Sequence, residues 1–383
     1  MIPFIDLVAQ QHRIRPQLEA AFLRILDHGA YIMGPEIYAL ESQLSTFCGA
    51  AHTLSCSNGT DALALVLMAK NIGPGDAIFV PSFTFAATAE VVAWMGAEVV
   101  FIDVLETTFN MDPASLEKGI QTAKKLGLRP KGVIPVDLFG QAADYDTLHT
   151  IAEQNGLWVM ADAAQSFGGS YKGKKVGALA ESTTTSFYPP KPLGCYGDGG
   201  AVFTENSDLL KILESLRIHG QGEGGDKYQN IRVGLNGRMD TIQAAILLEK
   251  LTIFPEEILL RQKIADRYSE ALQEVAGTPF VREDCQSAWA QYTLKVDPSK
   301  RKEIMDGLQH EGIPSVIYYP LPLHHQKAYG SYPCATETLP ISEALSQTVL
   351  SLPFHPYLDT DTQDHIIKTF CDVVTRVRAK KVA

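Results

Sequence analysis

The stretch DAIFVPSFTFAATAEVVAWMGAEVVFIDV, residues 76–104, decides the fold class. Its apolar core runs from Ala77 to Ile102, long enough to raise the question of a membrane span. Pro81, Glu90, Gly96 and Glu98 break it up. The breaks read as strand, helix, strand: a β-rich run with its exit loop over 76–85, a helix over 86–97 closed by Gly96, and a second strand over 98–104. The pattern continues outward. GVIPVDLFG (132–140), LWVMADAA (157–164) and AVFTEN (201–206) read as further strands, and YDTLHTIAEQNG (145–156) as a helix ending at Gly156. Near-continuous apolar strands alternating with helices predict an α/β fold, a mostly parallel sheet sandwiched by helices. In such sheets the working residues lie beyond the carboxyl ends of the strands.

The pattern changes near residue 250. RMDTIQAAILLEKL (238–251) reads as a strong helix, and Pro255 follows it. A charged helix is expected over 256–275, then the strand-like SAWAQYTLKV (287–296), the helical KRKEIMDGLQHEGI (300–313) and a stretch rich in Pro and Tyr. This predicts a large α/β domain over 1–250 and a smaller C-terminal α+β domain over 251–383. No internal repeat is visible.

Across 383 residues the chain is 45% hydrophobic and 20% charged, with a net charge of -11. The acidic balance argues against a nucleic-acid or anionic-membrane partner and requires local donors for any anionic ligand. The N-terminus, MIPFIDLVAQQHRIR, carries Asp6 and no long apolar run, so no secretory signal is expected. The six cysteines are scattered without a CxxC pair, which argues against zinc and disulfides and for a reducing cytoplasm. His324-His325 has no third ligand nearby in sequence, so a loop or substrate rim is expected rather than a metal. His219, in RIHGQ, reads as a loop histidine.

Four stretches carry chemistry. In SFYPPKPLGCYGDGGAVFT (186–204) Lys191 sits between two prolines and ahead of four glycines. Prolines fix the lysine's reach, and the glycines allow close backbone approach to a cofactor or substrate. A lysine that bonds to an aldehyde must be part-time neutral, which needs a desolvated or cation-rich site. Asp162 ends the buried run VMAD; it is an N-cap, a structural ion-pair partner, or the acceptor for a protonated ring nitrogen. Ser57-Asn58-Gly59-Thr60 reads as a loop entering a helix near Asp61, either a plain cap or an anion site. Phe83 and Phe85 share a face in extended chain, for core packing or for stacking on a flat ring. A phosphate cluster, a stacking ring, an acid and a lysine together specify pyridoxal 5'-phosphate (PLP).

SNGTDAL (57–63), PSFTF (81–85), DAAQSFG (162–168), the Lys191 segment and GLNGRMDTIQAAIL (234–247) resemble the sugar aminotransferases of the DegT/DnrJ/EryC1/StrS group, in order and over nearly the whole chain. Within it, YIMGPE (31–36), KPLGCYGDGGA (191–201), NGRMDTIQAAILL (236–248) and SLPFHPYLDT (351–360) are most similar to bacterial enzymes that aminate UDP-2-acetamido-2-deoxy-3-oxo-glucuronate at C3. The resemblance implies a fold-type-I PLP enzyme serving surface-polysaccharide synthesis, such as O-antigen, with glutamate as donor. Lys191 would hold the cofactor and shuttle the proton. Asp162 would pair with the pyridinium, Gln165 would touch its phenolic-oxygen side, and Phe85 would stack on the ring. Gly59, Thr60, Ser186 and the Asp61 N–H would bind the phosphate. A homodimer with shared sites is implied, with Asn236 reaching the neighbour's phosphate and Arg238 facing the sugar nucleotide.

The chain departs from the group's pattern at Tyr318-Tyr319, where relatives often carry His-Tyr, and in GQGEGGDKYQN (220–230), which looks longer than usual. The two tyrosines line the substrate entrance or pack the small domain. Amination of a 4-keto sugar on dTDP or UDP, a nicotinamide oxidoreductase and a non-catalytic binding module are the rival readings. The oxidoreductase needs a GxGxxG after a first strand, and the chief glycine cluster instead follows Lys191 and precedes a strand.

Overall fold

The computed structural model describes residues 2–222 and 228–379. The strands are β1 (His52–Cys56), β2 (Asp76–Pro81), β3 (Glu98–Ile102), β4 (Arg129–Val133), β5 (Trp158–Asp162), β6 (Ser170–Tyr171), β7 (Lys174–Lys175), β8 (Ser182–Ser186), β9 (Gly200–Thr204), β10 (Cys285–Gln286), β11 (Tyr292–Lys295) and β12 (Val349–Leu352). The helices are α1 (Leu7–Arg13), α2 (Arg15–His28), α3 (Pro35–Cys48), α4 (Gly59–Ala69), α5 (Ala87–Trp94), α6 (Pro113–Lys125), α7 (Tyr145–Asn155), α8 (Ser207–Arg217), α9 (Thr241–Leu272), α10 (Arg301–His310), α11 (Pro340–Thr348) and α12 (Thr360–Ala379).

Seven strands form the main sheet in the order β1-β9-β8-β5-β4-β2-β3. Its pairs are parallel except those of β9, which runs against both β1 and β8. The quoted stretch is β2, α5 and β3, as the breaks predict. Every residue of β2 is buried, and helices cover both faces, which is why the strands are apolar throughout. β8 is Ser-Thr-Thr-Thr-Ser, yet four of its five residues are buried. β-branching suits the strand, and the hydroxyls of Thr184 and Thr185 donate to the carbonyls of Ala161 and Ala163 at 3.2 and 3.0 Å.

The reversed strand β9 sets the position of Lys191. Because β8 and β9 are antiparallel neighbours, the segment joining them (187–199) must turn over the sheet edge where β8 ends. β1, β2 and β5 end at that same edge, since all run parallel to β8.

Pro255 does not end a helix. Separate helices over 238–251 and 256–275 were the expectation; α9 instead runs unbroken from Thr241 to Leu272 with Pro255 inside it. Pro255 faces solvent, and its neighbours Phe254 and Ile258 are buried. Packing of that apolar stripe outweighs the one lost hydrogen bond. Residue 250 lies inside α9, whose two halves serve two cores. Leu247, Phe254 and Ile258 pack with α3, while Ile264, Tyr268 and Leu272 pack with β11, β12 and α12. Among the described residues no helix is long and apolar enough to cross a membrane.

Phe254 is fully buried and stacks on Phe167, ring centroids 6.1 Å apart and planes 5° apart. Phe254→Ala should lower unfolding stability by about 3–5 kcal/mol, measured by denaturant titration.

Candidate active site

The carboxyl edges of β1, β2, β5 and β8 open into a cavity of ≈ 660 Å³, within the range of small-molecule sites. Gly59, Thr60, Asp61, Phe85, Asp162, Gln165, Ser186, Lys191, Tyr318 and Tyr319 all line it. Asn236 and Arg238 are not among the lining residues of their own chain.

Lys191 is held by backbone turns. Its N–H donates to Tyr188 O at 2.8 Å, and Cys195 N closes the loop onto Phe187 O at 2.7 Å. A Cβ on Gly194 would lie 2.4 Å from Pro189 O, so the turn requires glycine there. Beneath, the fully buried Lys250 donates to Gly194 O at 2.6 Å and sits 4.2 Å from the centre of the Tyr196 ring. The glycine tail makes close approaches to the protein itself. Gly200 packs on the Asn58 backbone and Gly199 against Cys195.

Lys191 is partly buried. Removal from water pushes its amine below the usual lysine range, opposed by the Asp162 carboxylate. Asp162 is buried, which raises its pKa. Opposing that rise are Thr88 Oγ1, donating at 2.7 Å, then Ala164 N at 3.2 Å, then the Lys191 charge. A carboxylate so placed is stabilised by a cation entering the cavity.

The phosphate-type end is built from Asn58. Its side chain caps α4 by accepting from Asp61 N at 2.7 Å. The helix therefore begins at Gly59, two residues before the expected Asp61. It also means that the Asp61 N–H is already engaged. Gly59 and Thr60 remain as first-turn donors, with the Thr60 and Ser186 hydroxyls beside them. The Asp61 carboxylate accepts from Asn58 Nδ2 at 3.0 Å and from Ser57 Oγ. A Cβ on Gly59 would sit 2.6 Å from Ser186 Cβ, so glycine is what brings β8 over the helix start.

Phe83 and Phe85 do not share an environment. Chain curvature after β2 buries Phe83 completely in an aromatic cluster, whereas Phe85 stays 59% exposed at the cavity. Gln165 is oriented on both sides: its Oε1 accepts from Phe139 N at 2.7 Å, and its Nε2 donates to Tyr319 Oη at 3.2 Å. Tyr318 lines the cavity, and its ring lies 6.4 Å from that of Phe4 in the N-terminal segment.

Several functional positions escaped sequence reading. Thr88 lies on α5 one turn after Phe85, and that spacing was its available signal. Ile5 and Gln291 enter the cavity from distant segments and had none. The histidine pair does acquire a third group: Glu343 brings its carboxylate within 4.8 Å of both rings' nitrogens. His324 spends its nitrogens on Ser82 Oγ at 2.6 Å and Glu343 Oε1 at 3.3 Å. His219 adopts a left-handed turn (φ 65°), with its carbonyl accepting from Asn230 Nδ2. Residues 223–227 of the long loop lie outside the described residues.

The profile of the DegT/DnrJ/EryC1/StrS aminotransferase family matches residues 12–371. The chain is 47% identical over 376 residues to the UDP-2-acetamido-2-deoxy-3-oxo-D-glucuronate aminotransferase of Pseudomonas aeruginosa, covering 98% of this chain and 100% of that one. A crystal structure of a DegT DnrJ EryC1 StrS aminotransferase from Brucella abortus superposes with TM-score 0.95 at 50% identity, over 97% of this chain and 99% of that one. NtdA of Bacillus subtilis, solved with bound cofactor PMP, gives TM-score 0.88 at 29% identity, over 97% of this chain and 83% of that one.

A second buried carboxylate underlies the site. Asp137 accepts from Ala143 N, Tyr145 Oη and Ser166 Oγ at 2.8, 2.9 and 2.8 Å, and burial still pushes it up to about 7. An acid whose folded pKa is raised binds its proton more tightly folded than unfolded. Stability should therefore fall as pH rises from about 4 to 7, by roughly 1 kcal/mol per pH unit within that window. Asp137→Asn should flatten that slope in denaturant titrations at pH 4.5 and 8; an unchanged slope would place the effect elsewhere.

Proposed function

The chain belongs to the DegT/DnrJ/EryC1/StrS aminotransferase family, and from that premise we propose that it is a PLP-dependent enzyme aminating UDP-2-acetamido-2-deoxy-3-oxo-glucuronate at C3, with glutamate as donor. The observation that carries the reading is the meeting of the Lys191 amine and the Asp162 carboxylate in one cavity.

The residues present fit the cofactor. Burial makes the Asp162 carboxylate costly unless a pyridinium stands against it. Gly59, Thr60 and Ser186 offer donors for a phosphate, with Asp61 anchoring their loop. Phe85 presents an exposed ring and Gln165 a fixed amide. Bound PLP supplies an aldehyde that bonds reversibly to amines and a ring that withdraws electrons from the adjacent carbon. Lys191 would hold the aldehyde carbon, and its Nζ would take the proton from the donor's Cα, a task for which desolvation prepares it by favouring the neutral amine.

The substrate is anionic, yet among the described residues the cavity lining holds Asp61, Glu90, Asp162 and Asp198 against one cation, Lys191. An anionic substrate calls for more positive charge than that. We assign it to Arg238 of a second copy, with Asn236 beside it at the phosphate, in a homodimer with shared sites. Exposed Leu23, Leu26, Tyr31, Ile32 and Tyr38 offer apolar surface for that contact. In this reading residues 1–250 hold the cofactor, and 251–383 contribute Gln291, Tyr318 and Tyr319 to the substrate side. The setting is the cytoplasm, which suits six free cysteines, and the product feeds bacterial surface polysaccharide.

Lys191→Ala should abolish both turnover and the absorbance of the protonated lysine imine; retention of either overturns the assignment. Mass spectrometry of products from 3-oxo and 4-oxo sugar nucleotides with glutamate should show the 3-amino glucuronate preferred. Mixing inactive Lys191→Ala with inactive Arg238→Ala protein should recover part of the activity, because one site of each mixed dimer is intact.

A further inference from the structure

A second, much smaller chamber lies behind Lys191. Pro189, Pro190 and Lys191 wall it on one side, and Gln10 of α1, Arg261 of α9 and His355 on the other. Its free space is ≈ 10 Å³, room for about one water and for no metabolite.

Gln10, Arg261 and His355 are only 8, 5 and 3% exposed. Each leaves polar atoms without a protein partner: Gln10 Oε1, Arg261 Nε and both ring nitrogens of His355. Their other groups are committed. Gln10 Nε2 donates to Glu257 Oε1 at 2.8 Å, and Arg261 Nη1 donates to Trp289 O at 3.0 Å. Leaving a buried polar group unmet is costly. Four such atoms around one chamber are unlike the near-complete pairing of the surrounding fold.

The donor set names the ligand. Gln10 Oε1 accepts and Arg261 Nε donates. His355 is pushed down to about 4, first by burial, with Arg261 adding to the fall and Asp6 and Asp359 opposing it. At neutral pH its ring is therefore uncharged and offers one donor and one acceptor. Asp6 also lines the chamber, and a mixed set of this kind suits a molecule with two donors and two acceptors.

We propose that the chamber behind Lys191 is a buried water site held by Gln10, Arg261 and His355, and that its water exchanges hydrogens with the Lys191 amine. The exchange rests on Lys191 being the proton carrier of the proposed transamination. After Nζ takes the hydrogen from the donor's Cα it is an ammonium with three equivalent hydrogens. It passes one to the water oxygen as the water returns another, so charge is conserved and only the identity of the hydrogen changes. Label taken from Cα is thereby lost to solvent before delivery. His355 is the positioning residue of this path.

Two measurements test it. A high-resolution crystal structure of the holoenzyme should show water within hydrogen-bond distance of His355 and Arg261; a dry chamber overturns the site, whatever reaction the enzyme catalyses. Glutamate deuterated at Cα should lose most of its label to solvent in a single half-reaction, read by mass spectrometry of the aminated cofactor. His355→Leu should raise the retained label several-fold. His355→Gln, which restores a donor and an acceptor, should return it to within twofold of wild type. Gln10→Leu serves as the second variant if His355→Leu does not fold. Equal retention in wild type and variants overturns the exchange path while leaving the transamination standing.

Discussion

An amine and a carboxylate withdrawn from water at the same sheet edge constrain everything around them. Lys191 is driven toward its neutral form and Asp162 toward protonation, each by burial, and each partly restrains the other. Neither is at ease without a third partner. In the proposed reading, a pyridinium against Asp162 and an aldehyde on Lys191 would relieve both at once. The surrounding structure serves to keep the two groups from finding cheaper partners: prolines flank the lysine, Lys250 pins its loop through Gly194, and Thr88 holds one carboxylate oxygen.

That arrangement follows from one reversed strand. Had β9 run parallel to β8, its connection would have needed a crossover helix ending at the far edge of the sheet. Antiparallel pairing lets residues 187–199 turn back at once, which leaves Lys191 above the carboxyl ends of β1, β2, β5 and β8. The phosphate-type loop, the aromatic shelf and the acid occupy those same ends. Sheet topology therefore does the assembly, and side chains need only short local fixes such as the Asn58 cap.

Much of this was legible because it was written in local chemistry. Prolines around a lysine, an acid closing an apolar strand and a Ser-Asn-Gly-Thr helix start each carry meaning within a few residues. What could not be read depended on contacts across the chain. Pro255 spelled a helix end, but the stripe through Phe254 and Ile258 kept α9 intact. Phe83 and Phe85 looked equivalent until the chain curved after β2. Gln291 and Ile5 approach from opposite ends of the sequence, and Glu343 reaches the histidine pair from a separate helix, so no spacing announced them.

The same distinction explains the charges buried beneath the site. Lys250, Glu257 and Arg261 lie on one stripe of α9, each at most 5% exposed. Buried ions are a weak source of stability, because desolvation offsets most of their attraction. Their value here is directional. Lys250 grips Gly194, Glu257 holds Gln10, and Arg261 grips Trp289, so one helix ties the lysine loop, the N-terminal segment and the strand region bearing Gln291 to a common frame. Apolar residues of equal volume would pack as well but would not fix two backbones and the Gln10 side chain in register. A reaction that moves a proton between atoms about one hydrogen-bond length apart depends on that register more than on extra stability.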